Sequence, residues 1–175
     1  MSWKTHGIAG AALLTAVLLG VSGLLQGPAA GAAPAVRFTY LDGRSVPLDS
    51  LRGKTVLVTF WASTCSECLR EMPALKALHE DLAGPGFEIV GVAMSYDPPN
   101  RVLETSERLE VPYPVSLDIN GAIAAAFSGV SVTPASFLIS PAGRIVARHA
   151  GRLDFVELRD QIQDLNPAVR RAPPG

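Results

Sequence analysis

Phe60-Trp61-Ala62-Ser63-Thr64-Cys65-Ser66-Glu67-Cys68 sets two cysteines two residues apart, where a strand pattern passes into a helix pattern. Before it, Lys54 to Trp61 (KTVLVTFW) is an apolar run rich in β-branched residues, as in a central strand covered on both faces. After it, Leu69, Met72, Leu75, Leu78 and Leu82 recur at helical spacing between Cys65 and Ala83, and Gly84-Pro85-Gly86 stops the run. Cys65 therefore falls at the first turn of a helix, where unpaired backbone amides and the helix dipole stabilise an anion. A thiol there loses its proton more readily and becomes a nucleophile. Cys68, one turn further in, points toward the helix interior. It is placed to attack the mixed disulfide that Cys65 forms with a substrate.

Outward from this motif the chain alternates. Phe87 to Met94 (FEIVGVAM) reads as a second buried strand, and Asp97-Pro98-Pro99-Asn100 opens a helix to about Leu109. Pro114 to Leu117 is a short extended piece and Asn120 to Phe127 a short helix. Ser136 to Ser140 and Arg144 to His149 form a hairpin about Pro141-Ala142-Gly143, and Asp154 caps a last helix to about Leu165. Upstream, Val36 to Tyr40 and Ser45 to Leu48 flank an Asp42-Gly43 turn, a hairpin signal whose expected task is to cover a sheet edge. Parallel strands first and an antiparallel pair last give an α/β, three-layer plan with a central mixed sheet flanked by helices.

The chain has 175 residues and a formal charge of −1, with no basic face and no nucleic-acid footprint. Gly7 to Leu25 is 19 uncharged residues preceded by Lys4 and followed by small, Pro-broken sequence through Pro34. That is the layout of a secretory signal, or of an uncleaved anchor, since the length just reaches that of a membrane span. Residues 1–32 are accordingly expected to be a signal peptide or N-terminal membrane anchor. Residues 33–166 would form one domain outside the cytoplasm. The stretch 167–175, with three prolines and Arg170-Arg171, would be a disordered tail.

The two cysteines are the only ones in the chain. A disulfide scaffold needs more of them, spread along the sequence, and closing so short a loop adds little stability in the chain-entropy model. A zinc site needs two further ligands, but His6 lies in the leader, His79 in mid-helix and His149 at a strand end. Haem attachment needs a histidine where Leu69 stands. The expectation is no metal, and no cofactor beyond a redox-active Cys65–Cys68 disulfide.

From about Ala35 to Asn166 the sequence resembles the thioredoxin superfamily, and within it the exported TlpA/ResA-like branch that includes the cytochrome c maturation thioredoxins. Lys54 to Trp61 followed by Ala62 matches the family's strand and its Trp-Ala entry to the active site, and Pro73 matches the proline that kinks its first active-site helix. Val132-Thr133-Pro134-Ala135-Ser136-Phe137-Leu138-Ile139 matches the strand carrying the cis-proline. Asp97 to Phe127 resembles the insert that precedes that strand in this branch. The resemblance implies a thioredoxin-like fold and thiol-disulfide exchange on protein clients. Thr133, Pro134 and Trp61 would bind substrate, with the Thr133 backbone free to pair with a client strand.

The resemblance also gives Glu71 a role in tuning the cysteines and handling protons, where position alone suggests a solvated first-turn glutamate. Ser66 and Glu67 lie between the cysteines, and the Glu67 charge should make the pair slightly more reducing. Two positions depart from the family: Thr64 stands where a second tryptophan is usual, and Thr59 where a buried aspartate or asparagine is usual. The branch mostly reduces specific disulfides, those of apocytochrome c or copper-site proteins, and is fed by a membrane thiol-disulfide donor. A thiol peroxidase would need threonine at Ala62 and proline at Val58. A copper or haem carrier on this fold would need a wider cysteine spacing and a histidine.

Overall fold

A computed structural model of the chain describes residues 31–167 and 169. Residues 1–30 of the leader expected over 1–32 lie outside them. The strands are β1 (Arg37–Thr39), β2 (Ser45–Pro47), β3 (Thr55–Trp61), β4 (Phe87–Ala93), β5 (Val115–Leu117), β6 (Ala135–Ile139) and β7 (Ile145–Ala150). The helices are α1 (Ser66–Leu82), α2 (Pro99–Arg108), α3 (Ala122–Ala126) and α4 (Phe155–Leu165), with a 3-10 turn at Leu48–Leu51.

Five strands form one mixed sheet in the order β5-β4-β3-β6-β7. β3 pairs in parallel with β4, and β4 with β5, whereas β6 is antiparallel to both β3 and β7. All seven residues of β3 are buried, as its unbroken apolar character requires of a central strand. The β1–β2 hairpin is a separate two-stranded sheet that covers the β5 edge. Tyr40 bridges Ser116, and the Leu41 amide donates to the Val115 carbonyl at 2.9 Å. An exposed strand edge invites pairing with other chains, and the hairpin removes it.

Each face of the sheet carries its own core. One joins Leu57, Trp61 and Leu138 to Met72, Leu75 and Leu78 of α1, Val102 of α2, and Leu158 and Ile162 of α4. The other joins Val56, Val58, Phe60 and Phe137 to Phe38 and Tyr40 of the hairpin, Ile123 of α3, and Phe127. These are the three layers. Asp154 caps α4 by accepting from the amides of Val156 and Glu157, a cap worth about 1 kcal/mol.

The domain extends past both expected boundaries. Gly31 and Ala32 already belong to it: the Gly31 carbonyl accepts from the Ile145 amide at 3.0 Å, and Ala32 bridges Arg144. At the other end Val169 is buried in the core of α1 and α4, so the tail does not leave the domain at Pro167. Its Cγ2 would lie 2.8 Å from a Cβ at position 86, so Gly86 makes room for it. Position 168 and the expected disordered stretch 170–175 lie outside the described residues.

Candidate active site

β3 delivers the chain to the C-terminal edge of the sheet, where a tight turn converts it into α1. The Cys65 amide donates to the Ala62 carbonyl at 3.0 Å, closing that turn. Cys65 is the N-cap of α1, and its sulfur accepts the Cys68 amide at 3.1 Å. The thiol function thus occupies the place of the oxygen acceptors that usually cap helices. Cys65 and Cys68 are joined as a disulfide. Their surroundings differ: Cys65 is partly exposed, while Cys68 is 3% exposed and packed in the core.

Pro134 closes over the site from β6, with the Thr133–Pro134 peptide in cis. Pro134 is buried, Thr133 is partly exposed and Val132 is 74% exposed. The Tyr96 hydroxyl lies 3.5 Å from the Thr133 hydroxyl. Tyr96 is itself exposed, so it supplies an aromatic ring at the rim that lacks one at Thr64.

Trp61 does not sit where a substrate-binding role would need it. It is 3% exposed, because it ends a strand covered on both faces. A Cβ at position 91 would come within 3.3 Å of its indole nitrogen, tighter than an ordinary contact, so glycine in β4 gives the ring room. The ring is core, and a surface contact with a client is not open to it.

Glu71 is buried on the α1 face that also carries Cys68. Its carboxylate accepts the Leu153 amide at 2.6 Å. Burial pushes its pKa above the ordinary carboxylate value; the Leu153 amide opposes this, Glu67 adds to it, and Arg152 opposes it. Gly151, at φ +83°, turns the chain so that Arg152 and Leu153 return onto α1. Arg152 then meets Glu67 at 3.1 Å, and Arg70 meets the same carboxylate at 2.5 Å. Ser66, also between the cysteines, is exposed.

Beneath the disulfide is a cavity of about 10 Å³ lined by Thr59, Trp61, Cys68, Glu71, Met72, Leu75, Tyr113 and Pro134. Thr59 offers no acid there; its hydroxyl accepts from that of Ser136 at 3.0 Å. The indole N–H of Trp61 is buried without a partner. Tyr113 is held protonated well above its ordinary range by burial and then by Glu71.

Four residues of this arrangement escape a reading of the sequence alone: Tyr96, Asp97, Arg152 and Tyr113. Asp97 reads as a helix opener, yet the N-cap of α2 is Pro98, with no side-chain bond. The Asp97 carboxylate instead accepts from the Ser63 amide at 2.5 Å and from the Ser63 hydroxyl at 2.6 Å.

A cysteine pair at the start of a helix that leaves the central strand of this sheet, faced by a cis-proline, defines a thioredoxin-fold thiol-disulfide oxidoreductase. The Redoxin family model matches residues 28–162. The thiol-disulfide oxidoreductase ResA of Geobacillus thermodenitrificans is 29% identical over 77% of this chain and 76% of its own. That of Halalkalibacterium halodurans is 32% identical over 67% of this chain and 69% of its own. The thioredoxin domain of a thiol-disulfide oxidoreductase from Bacteroides vulgatus superposes with a TM-score of 0.67 at 27% identity, covering 75% of this chain and 95% of that one. The chain belongs to the Redoxin family, in the TlpA/ResA-like branch of the thioredoxin superfamily.

Proposed function

We propose that the protein reduces specific protein disulfides outside the cytoplasm, with Cys65 as attacker and Cys68 as resolver. The observation that carries this reading is the inequality of the two sulfurs: Cys65 is reachable at the helix N-cap and Cys68 is buried behind it. In the reduced protein a Cys65 thiolate attacks one sulfur of a client disulfide, and the other client sulfur leaves as a thiolate and takes up a proton. Cys68 then attacks Cys65, the second client thiolate departs, and two electrons have passed to the client. The disulfide pair is the only redox centre this requires, and no metal or further cofactor enters. A membrane thiol-disulfide donor returns the pair to the dithiol.

Glu71 takes the Cys68 proton as that thiol becomes a nucleophile. Its raised pKa brings it closer to the working pH, which suits a group that must both hold and give up a proton. Thr133 and Pro134 receive the client, whose backbone pairs with that of Thr133.

Export rests on the leader sequence, which serves as signal peptide or anchor. No helix among the described residues is long and apolar enough to cross a membrane. The clients fitting this reading are apocytochrome c or copper-site cysteines, as in the branch the chain belongs to. A Cys68→Ser variant expressed in cells tests it. It should stall as a mixed disulfide on Cys65 with a small set of exported proteins. A trap filled with cytoplasmic proteins, or a reduction potential as high as a strong oxidase with disulfide-forming activity, would overturn it.

A further inference from the structure

The geometry points to Asp97 as a positioning residue that holds the Ala62–Cys65 turn, and through it the attacking sulfur at the N-cap of α1. Asp97 is 5% exposed and forms no ion pair among the described residues. A buried carboxylate without a cation is costly unless hydrogen bonds compensate it. Here both oxygens are taken by one residue, Ser63, through its amide and its hydroxyl. Asp97 is fixed in turn, because its own amide donates to Met94 and the Met94 amide donates to Trp61, each at 3.0 Å. The carboxylate therefore ties the loop after β4 to the loop after β3, two residues before Cys65. Among the described residues its side-chain hydrogen bonds go to Ser63, and it acts through that residue.

What depends on the turn is the cap. The Cys65 sulfur accepts the Cys68 amide at 3.1 Å only while residues 62–65 keep their path. Releasing the clamp loosens that bond, so the thiolate loses part of its stabilisation and the Cys65 pKa rises. The charge of Asp97 would act with the opposite sign, since a nearby carboxylate disfavours a thiolate. The two effects can be separated because Ser63→Ala removes one bond of the clamp and leaves every charge in place, including Glu67, Arg70, Glu71 and Arg152.

The test is the pH profile of alkylation of the reduced protein by iodoacetamide, with the labelled cysteine mapped by mass spectrometry, in wild type, Asp97→Asn and Ser63→Ala. The inference rests on Cys65 being the attacker, which the wild-type map checks separately; labelling at Cys68 would overturn that assignment and this inference with it. With Cys65 labelled, Asp97→Asn should raise its pKa by about half to one unit, slowing alkylation at pH 7 about three- to tenfold. Ser63→Ala should shift it less, in the same direction, and serves alone if Asp97→Asn does not fold. Lower melting temperatures with unmoved profiles would reduce Asp97 to a structural residue. A lowered pKa in Asp97→Asn with Ser63→Ala unmoved would assign the effect to charge, and either result overturns the inference.

Discussion

Along β3 the side chains alternate between two unlike cores. Val56, Val58 and Phe60 enter a cluster with Phe127 and Phe137 in which the three rings meet edge to face at 5.0–5.9 Å between centroids. Thr55, Leu57, Thr59 and Trp61 point the other way, toward the core that also holds Cys68 and, beside it, Glu71, with the small cavity between. The aromatic side spends its burial on stability. The other side accepts a buried acid, an unpartnered indole N–H and a void under the disulfide, each of which costs stability. One strand thus divides labour between its two faces, and variants on either side separate the two roles.

The largest effect belongs to the sulfurs. Cys65→Ser should lower disulfide reductase activity more than about a thousandfold, as loss of a nucleophile does. It should leave the melting temperature of the reduced protein near that of reduced wild type. Insulin reduction and thermal melting read the two quantities. A large drop in melting temperature would show that the site face, too, holds the fold together.

On the opposite face the order reverses. Phe127 is fully buried against Phe60 and Phe137, so Phe127→Ala should cost about 3–5 kcal/mol in urea unfolding. Its reduction potential should stay within about 10 mV of wild type, because 30 mV corresponds to about 1.4 kcal/mol at the sulfurs. A larger shift in potential would mean that the two cores are coupled through β3.

Glu71→Gln acts within the site itself. The amide oxygen can still accept from Leu153, but the buried charge is gone. Because the folded-state pKa of Glu71 is raised, the native state holds this proton more tightly than the unfolded chain. Its contribution is therefore most favourable below the ordinary carboxylate pKa and is lost as pH rises through the folded one. The variant should melt higher than wild type at pH 7, with the difference vanishing on acidification to about pH 4. Its exchange rate should fall about a hundredfold and lose its acid limb, as expected when a general base is removed.

What could be read ahead of the structure follows from the range of each interaction. β3, α1 and the placing of Cys65 and Cys68 rest on local periodicity and on a helix start, and a short window of sequence carries both. The edge-covering hairpin was legible because Asp-Gly favours few turn types, and the cis Thr133–Pro134 peptide because Val132 to Ile139 resembles the family's cis-proline strand. Burial of Glu71 was not, since it depends on a Leu153 amide 82 positions away. The same holds for the Asp97–Ser63 clamp, whose acid carries a local signal for capping α2 and answers a distant one instead. The substrate-binding role for Trp61 came from the resemblance alone, whereas the buried-strand pattern of Lys54 to Trp61 already pointed to the core, where Gly91 and Tyr113 pack near its ring.

Glu67 gives the smallest effect and the finest test. Taken alone, its charge at about 8 Å from a Cys65 thiolate would be worth about 0.5 kcal/mol in a water-like medium, or about 10 mV toward the reducing side. In the structure that charge is held between Arg70 and Arg152, and the second of these comes from the same turn that presents Leu153 to Glu71. Glu67→Gln leaves two arginines unopposed beside the thiolate and should raise the potential by about 10 mV. Arg152→Ala should lower it by a comparable amount, since it uncovers Glu67, and should also push the Glu71 pKa further up because one opposing charge is lost. Both shifts should shrink as salt is raised, because Arg70 and Arg152 are exposed. Shifts of the same sign from the two variants would rule out charge beside the Cys65 thiolate as their cause.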